Sequence, residues 1–200
     1  MDPKETAVVL IEFQNEFAHP SGKNYPGVKD VLASNQTIPH SQDLMARARA
    51  KGCSILHVPI AYAPGYPELP EDAYGIGCVV KQTETFVKGT FGAEIIDEMK
   101  PQPGDIVIEG KRGLDAFAST NIDFILRQRG IKYVAIAGFL TNVCVESTMR
   151  SAYEKGFRVY TMTDCTAALS KEIQQFTVEV NFPIYSCPMT HEEFLAQLGA

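Results

Sequence analysis

Apolar residues recur along this chain in short, nearly unbroken runs, and each run gives way to a longer stretch in which apolar and polar positions alternate at helical spacing. The runs at 7–13, 54–62, 105–109, 133–139, 158–163 and 183–187 lack the strict alternation of a half-exposed strand, and most are rich in Val and Ile. They predict strands covered on both faces. The spacing between them predicts helices near 37–51, 93–99, 121–129, 143–155, 171–180 and 191–198, the last opened by a capping box of Thr190 with Glu193. Strand and helix alternate from end to end, the pattern of an α/β fold with a doubly wound, largely parallel six-stranded sheet and helices on both faces. No linker or repeat divides residues 1–200, so a single domain is expected.

Two stretches break the rhythm. Residues 17–31 and 63–90 are rich in Gly, Pro and Tyr and carry neither period, which predicts long loops. In an open α/β sheet ligands bind beyond the carboxyl ends of the strands, where such loops gather, so these two are the expected walls of a pocket.

Three predicted strands end in polar groups that packing does not require. The first runs into Glu12, the third into Lys111 and Arg112, and the fourth leads through Gly138-Phe-Leu-Thr-Asn-Val to Cys144. A thiol in the first turn of a helix, here capped by Asn142, sits at the positive end of the helix dipole, which favours the thiolate. A carboxylate, an ammonium and a thiol meeting at one sheet edge would be a proton carrier, an electrostatic stabiliser and a nucleophile. Each also has an ordinary structural explanation: Glu12 as a solvated strand end, Lys111 as a surface cation paired with Glu109 or Asp115, and Cys144 as a small core residue.

Composition narrows the classes. A net charge of −6 and a pI near 5.2 leave no basic stripe to release counterions from a phosphate backbone, so no nucleic-acid partner is expected. The apolar start of the chain is too short to span a bilayer and lacks a basic leader, so no membrane association and a cytoplasmic location are expected. The five cysteines, Cys53, Cys78, Cys144, Cys165 and Cys187, are odd in number, widely spaced and without a CxxC pair, as in a reduced protein.

The segments LIEFQNEF (10–17), KRGLDAF (111–117) and GFLTNVCV (138–145) resemble the three signatures of the isochorismatase-like cysteine hydrolases, which include nicotinamidases, N-carbamoylsarcosine amidases and ureidoacrylate or maleamate amidohydrolases. The resemblance runs from Val8 to about Pro188. It implies a catalytic triad of Glu12, Lys111 and Cys144, a cis peptide between Phe139 and Leu140, and an oxyanion hole from the N–H groups of Leu140 and Cys144. The implied reaction is hydrolysis through a thioester, with a small-molecule substrate, no cofactor, and a homodimer or homotetramer as the assembly. Phe17, Tyr25, Phe91, Phe117 and Phe139 fall in segments expected near such a site and are candidates to line it.

The chain departs from that pattern at two positions. Glu12 stands where the family usually has Asp, which moves the carboxylate by up to roughly 1.5 Å, and Asp115 stands where Ser is common, a second anion able to compete for Lys111. The Asp-x-His segment with which nicotinamidases hold a metal has no counterpart after the second strand, so no metal is expected. His57 is read as a core or strand-end residue, His19 and His40 as loop residues, and Cys165 as structural. Three functions remain open: a metal-independent cysteine hydrolase cleaving a C–N bond of a small amide, ureide or carbamoyl compound; an isochorismatase; and a non-catalytic binding protein on the same fold.

Overall fold

The computed structural model describes residues 1–199. Its strands are β1 (Thr6–Ile11), β2 (Ser54–Val58), β3 (Ile106–Val107), β4 (Tyr133–Phe139), β5 (Arg158–Ala167) and β6 (Cys187–Met189). They form one sheet in the order β3-β2-β1-β4-β5-β6, with every neighbouring pair parallel. The helices are α1 (Asn15–Ala18), α2 (Tyr25–Ser34), α3 (Thr37–Lys51), α4 (Gly75–Thr83), α5 (Ile122–Gln128), α6 (Glu146–Glu154), α7 (Lys171–Phe176), α8 (Phe182–Tyr185) and α9 (His191–Gln197). Among the described residues no helix is long and apolar enough to cross a membrane.

Successive strand residues point to opposite faces, and both faces are packed. Val8, Leu10, Ile55 and Ala135 meet α2, α3 and α9 through Val28, Leu44 and Phe194. Ala7, Val9, Leu56 and Ile136 meet α5, α6 and α8 through Leu126, Met149 and Phe182. The strand order reverses between β1 and β4, so the crevice at their carboxyl ends is the place where this architecture receives ligands.

Several local expectations fail for identifiable reasons. Residues 183–186 are no strand: a π-type turn (Thr177–Asn181) carries the helical path of α7 into α8, with Pro183 in the first turn of α8. The edge strand lies further on and contains Pro188. The helix expected at 93–99 is replaced by 3₁₀ turns at Phe91–Ala93 and Asp97–Met99, because Ile95 between them bridges Gln14 and the Ile96 N–H donates to the Phe13 carbonyl. The two expected loops each hold a helix, α2 and α4, and His40 lies within α3. Asn142 does not cap α6; it lies inside a π-type turn (Thr141–Val145) that precedes it. The capping box of Thr190 with Glu193 is present.

Candidate active site

Chain direction after β1 is set by Glu12, whose backbone adopts a φ of +56°, a left-handed conformation uncommon outside glycine. Its N–H donates to the Val58 carbonyl at 3.1 Å, tying the bend to the end of β2. The Glu12 side chain is buried, and its Oε1 accepts from Lys111 Nζ at 2.5 Å. Lys111 is itself fully buried and donates also to the Gly113 carbonyl at 2.6 Å. Because β2 lies between β1 and β3, the lysine side chain must reach past the end of β2 to make this pair.

The thiol arrives from β4. Gly138 pairs with Ile11 at a φ of +125°, and a Cβ there would stand 1.9 Å from the Ile11 carbonyl oxygen, so only glycine admits this approach of the two strands. The Phe139–Leu140 peptide is cis. The Leu140 carbonyl then accepts from the N–H groups of Val143 and Val145, at 3.0 and 3.2 Å, and passes over that of Cys144 between them. Such π-type turns are frequent at functional sites.

Cys144 and Glu12 line one cavity, with Lys111 behind them. Burial pushes the Cys144 thiol well above its ordinary pKa, Glu12 pushes it further and Lys111 opposes both. Burial therefore opposes the thiolate that a helix start favours. A helix terminus is worth about 0.3–1 kcal/mol, whereas burying an ion costs several kcal/mol. Burial also works against the Lys111 ammonium, but the charge of Glu12 and the hydrogen bond to it outweigh that cost and hold its pKa above the usual lysine value. Asp115 does not compete for Lys111. Its two oxygens accept from the Phe117 N–H at 2.9 Å and the Ser151 hydroxyl at 2.8 Å.

The cavity measures about 530 Å³ and its walls come from both aperiodic stretches, through Phe17, Lys23 and Asn24 of the first and the whole face of α4 in the second. Of the aromatic candidates, Phe17 lines it. Phe139 lies behind, stacked on Phe17 at 5.4 Å with no exposed surface. The other three do not line it: Tyr25 opens α2, Phe91 packs on His19, and Phe117 belongs to the opposite core beside Phe157. Aromatic character alone did not separate wall from core.

Two supporting residues were not foreseen. The Gln14 side chain donates to the carbonyls of Ile60 and Ala93 at 2.8 and 2.7 Å and accepts from the Ile60 N–H at 2.9 Å, fastening the β1 bend to the chain on either side of the second wall segment. Its burial among alternating polar neighbours leaves no mark in a hydropathy pattern. Tyr62 lines the cavity, donates to the Arg112 carbonyl, and has its pKa pushed up to about 12 by burial. His57 is a core residue bonded to Asp105 at 3.2 Å, and Cys165 is buried. Away from the cavity, His40, Asp164 and His191 place three ligand-type atoms together. His191 Nδ1 is bonded to Asp164 at 2.6 Å, the His40 and His191 rings stack at 4.6 Å and 24°, and His40 Nδ1 is buried with no hydrogen-bond partner among the described residues.

A parallel doubly wound sheet thus brings a buried Lys–Glu pair and a cysteine to one cavity at its switch point. The isochorismatase domain model matches residues 6–193, and the chain belongs to the isochorismatase family of hydrolases. It is 32% identical over 190 residues to the ureidoacrylate amidohydrolase RutB of Rhizobium rhizogenes, covering 89% of this chain and 77% of that protein. The RutB of Agrobacterium fabrum matches at 32% over 191 residues, covering 89% and 83%. Among solved structures, a cysteine hydrolase from Pseudomonas syringae superposes with a TM-score of 0.86 at 22% identity, covering 98% of this chain and 93% of that one. The N-carbamoylsarcosine amidase of Thermoplasma acidophilum superposes with a TM-score of 0.74 at 26% identity, covering 94% and 97%.

Proposed function

We propose that the protein is a metal-independent cysteine hydrolase that cleaves a C–N bond of a small amide, ureide or carbamoyl compound through a thioester on Cys144. The observation that carries this reading is the buried Lys111–Glu12 pair set behind a cavity-lining thiol. The names of the similar amidohydrolases agree with it.

The raised pKa of Cys144 means that the thiol is deprotonated only as it reacts. Glu12 takes the proton, sulfur attacks the carbonyl carbon, and the negative charge moves to the carbonyl oxygen. The N–H groups of Leu140 and Cys144 are the donors to that oxyanion. The C–N bond then breaks and the proton on Glu12 passes to the departing nitrogen. In the second half Glu12 takes a proton from water, the hydroxide attacks the thioester, the C–S bond breaks, and the sulfur recovers the proton. Lys111 keeps a positive charge beside Glu12 and the sulfur throughout, which limits the cost of the anionic states in a buried site. The substrate is a small molecule, and we propose a homodimer or homotetramer as the working assembly.

A screen of small amides and ureides, with isochorismate included, tests this by comparing wild type with Cys144→Ala by mass spectrometry. Turnover of an amide by wild type and not by the variant is the expected result. Isochorismate turnover that survives the substitution would replace thioester chemistry with vinyl-ether hydrolysis.

A further inference from the structure

The cavity is far larger than the group that reacts in it. Its volume of about 530 Å³ lies in the range of about 300–1,000 Å³ typical of pockets for drug-sized ligands. A primary amide or ureide head needs only a small part of it near Cys144.

The space left over is apolar. Leu69, Ile76, Val79 and Val80 form one wall, mostly from α4, and Val143 and Leu169 face them from the β4 and β5 side. Ile76 and Val79 remain 48% exposed, so apolar surface at the mouth stays in contact with water until something covers it.

The cations in the lining are already engaged. Lys23 Nζ donates to the carbonyls of Thr83 and Glu84 at 2.8 and 2.7 Å. Arg112 is paired with Glu68 at 2.9 Å through Nε and bonded to the Lys111 carbonyl at 3.0 Å through Nη1. Lys111 belongs to Glu12. A substrate carboxylate at the reacting thiol would enter beside the Glu12 carboxylate, and the cation there, Lys111, is already paired with it.

From this geometry we infer that the site selects an amide or ureide with an uncharged apolar substituent of about ring size or larger. A compact, carboxylate-bearing substrate of the ureidoacrylate kind does not match these walls. The reactive head rests on the function proposed above; the apolar selectivity rests on the cavity alone.

The test is a homologous series of primary amides, acetamide, butyramide and hexanamide, with succinamate as the carboxylate-bearing member. Each is measured for kcat/KM with wild type and, independently of turnover, for binding to Cys144→Ala by saturation-transfer NMR. The expected kcat/KM rises about fourfold per added methylene, the worth of burying one, and hexanamide binds Cys144→Ala more tightly than succinamate does. Val79→Asp, at a half-exposed wall position, should lower the hexanamide-to-acetamide ratio of kcat/KM, or of affinity, at least tenfold.

Preference for succinamate, no detectable hexanamide binding up to its solubility, or an unchanged ratio in Val79→Asp would overturn the inference. Succinamate turnover that needs Cys144 and exceeds hexanamide turnover would leave the thioester reading standing without it. Selective hexanamide binding without turnover of any amide would do the reverse.

Discussion

The floor and the wall of the cavity are built by opposite means. The floor is three buried polar side chains that follow strand ends, with Lys111 and Glu12 paired and Cys144 lining the same cavity as Glu12. The wall is a helix and its flanking loops, apolar, half-open to solvent, and hung on the sheet through residues such as Gln14. A site divided in this way can keep its bond-breaking chemistry while its substrate changes. Substitutions in the floor should therefore alter rate for every substrate, and those in the wall should alter rank among substrates.

Cys144→Ala should have the largest effect, a loss of at least about 10³-fold in kcat for every amide with little change in Tm, since the nucleophile is lost and a small side chain replaces a small one. Lys111→Met should follow. Besides activity it removes one partner of a buried pair, which costs about 3–5 kcal/mol and would appear as a Tm lowered by roughly 10 °C in a domain of this size. Glu12→Asp keeps the proton carrier and shortens it, so a partial loss, about 10- to 100-fold in kcat, is expected, whereas Glu12→Gln should abolish turnover. A Glu12→Gln loss no greater than that of Glu12→Asp would mean that the carboxylate at position 12 is not the proton carrier.

Gln14→Ala tests the join between floor and wall. It leaves the Ile60 N–H and two carbonyls without their partner, and about 3 kcal/mol of stability should be lost, measured by urea unfolding. A loss below about 1 kcal/mol would mean that the wall segments hold themselves in place.

The smallest expected effect concerns pH. Burial lowers the His57 pKa below the ordinary value of 6.5, with Asp105 opposing. The unfolded chain therefore binds the proton more readily, so this contribution to stability is full above pH 6.5 and is lost as pH falls below that value toward the folded-state pKa. The decline in Tm below that pH should be shallower in His57→Gln than in wild type.

The floor was legible in the sequence because chemistry at strand ends stands out against apolar runs. Glu12, Lys111 and Cys144 each interrupt a pattern that packing alone would continue. That β3 is separated from β1 by β2 was not legible, since strand order is a property of the crossovers. The wall was legible only as a break in periodicity. The short run Gly75–Thr83 carries two glycines and is nonetheless a helix that lines the cavity, and tertiary context decided against Tyr25, Phe91 and Phe117 as lining residues. The thiol's electrostatics were half legible for a related reason: the helix start is visible in sequence, and the depth of burial that opposes it is not.

The claim that Cys144 carries the acyl group is tested most directly by acid-quenched intact mass spectrometry during turnover of a hydrolysed amide, followed by peptide mapping. A mass increase equal to the acyl group on the peptide containing Cys144, formed and lost at rates compatible with kcat and converted to the hydroxamate by hydroxylamine, is the expected result. Turnover that proceeds in Cys144→Ala at the wild-type rate, with no acylated peptide at any time, would contradict it.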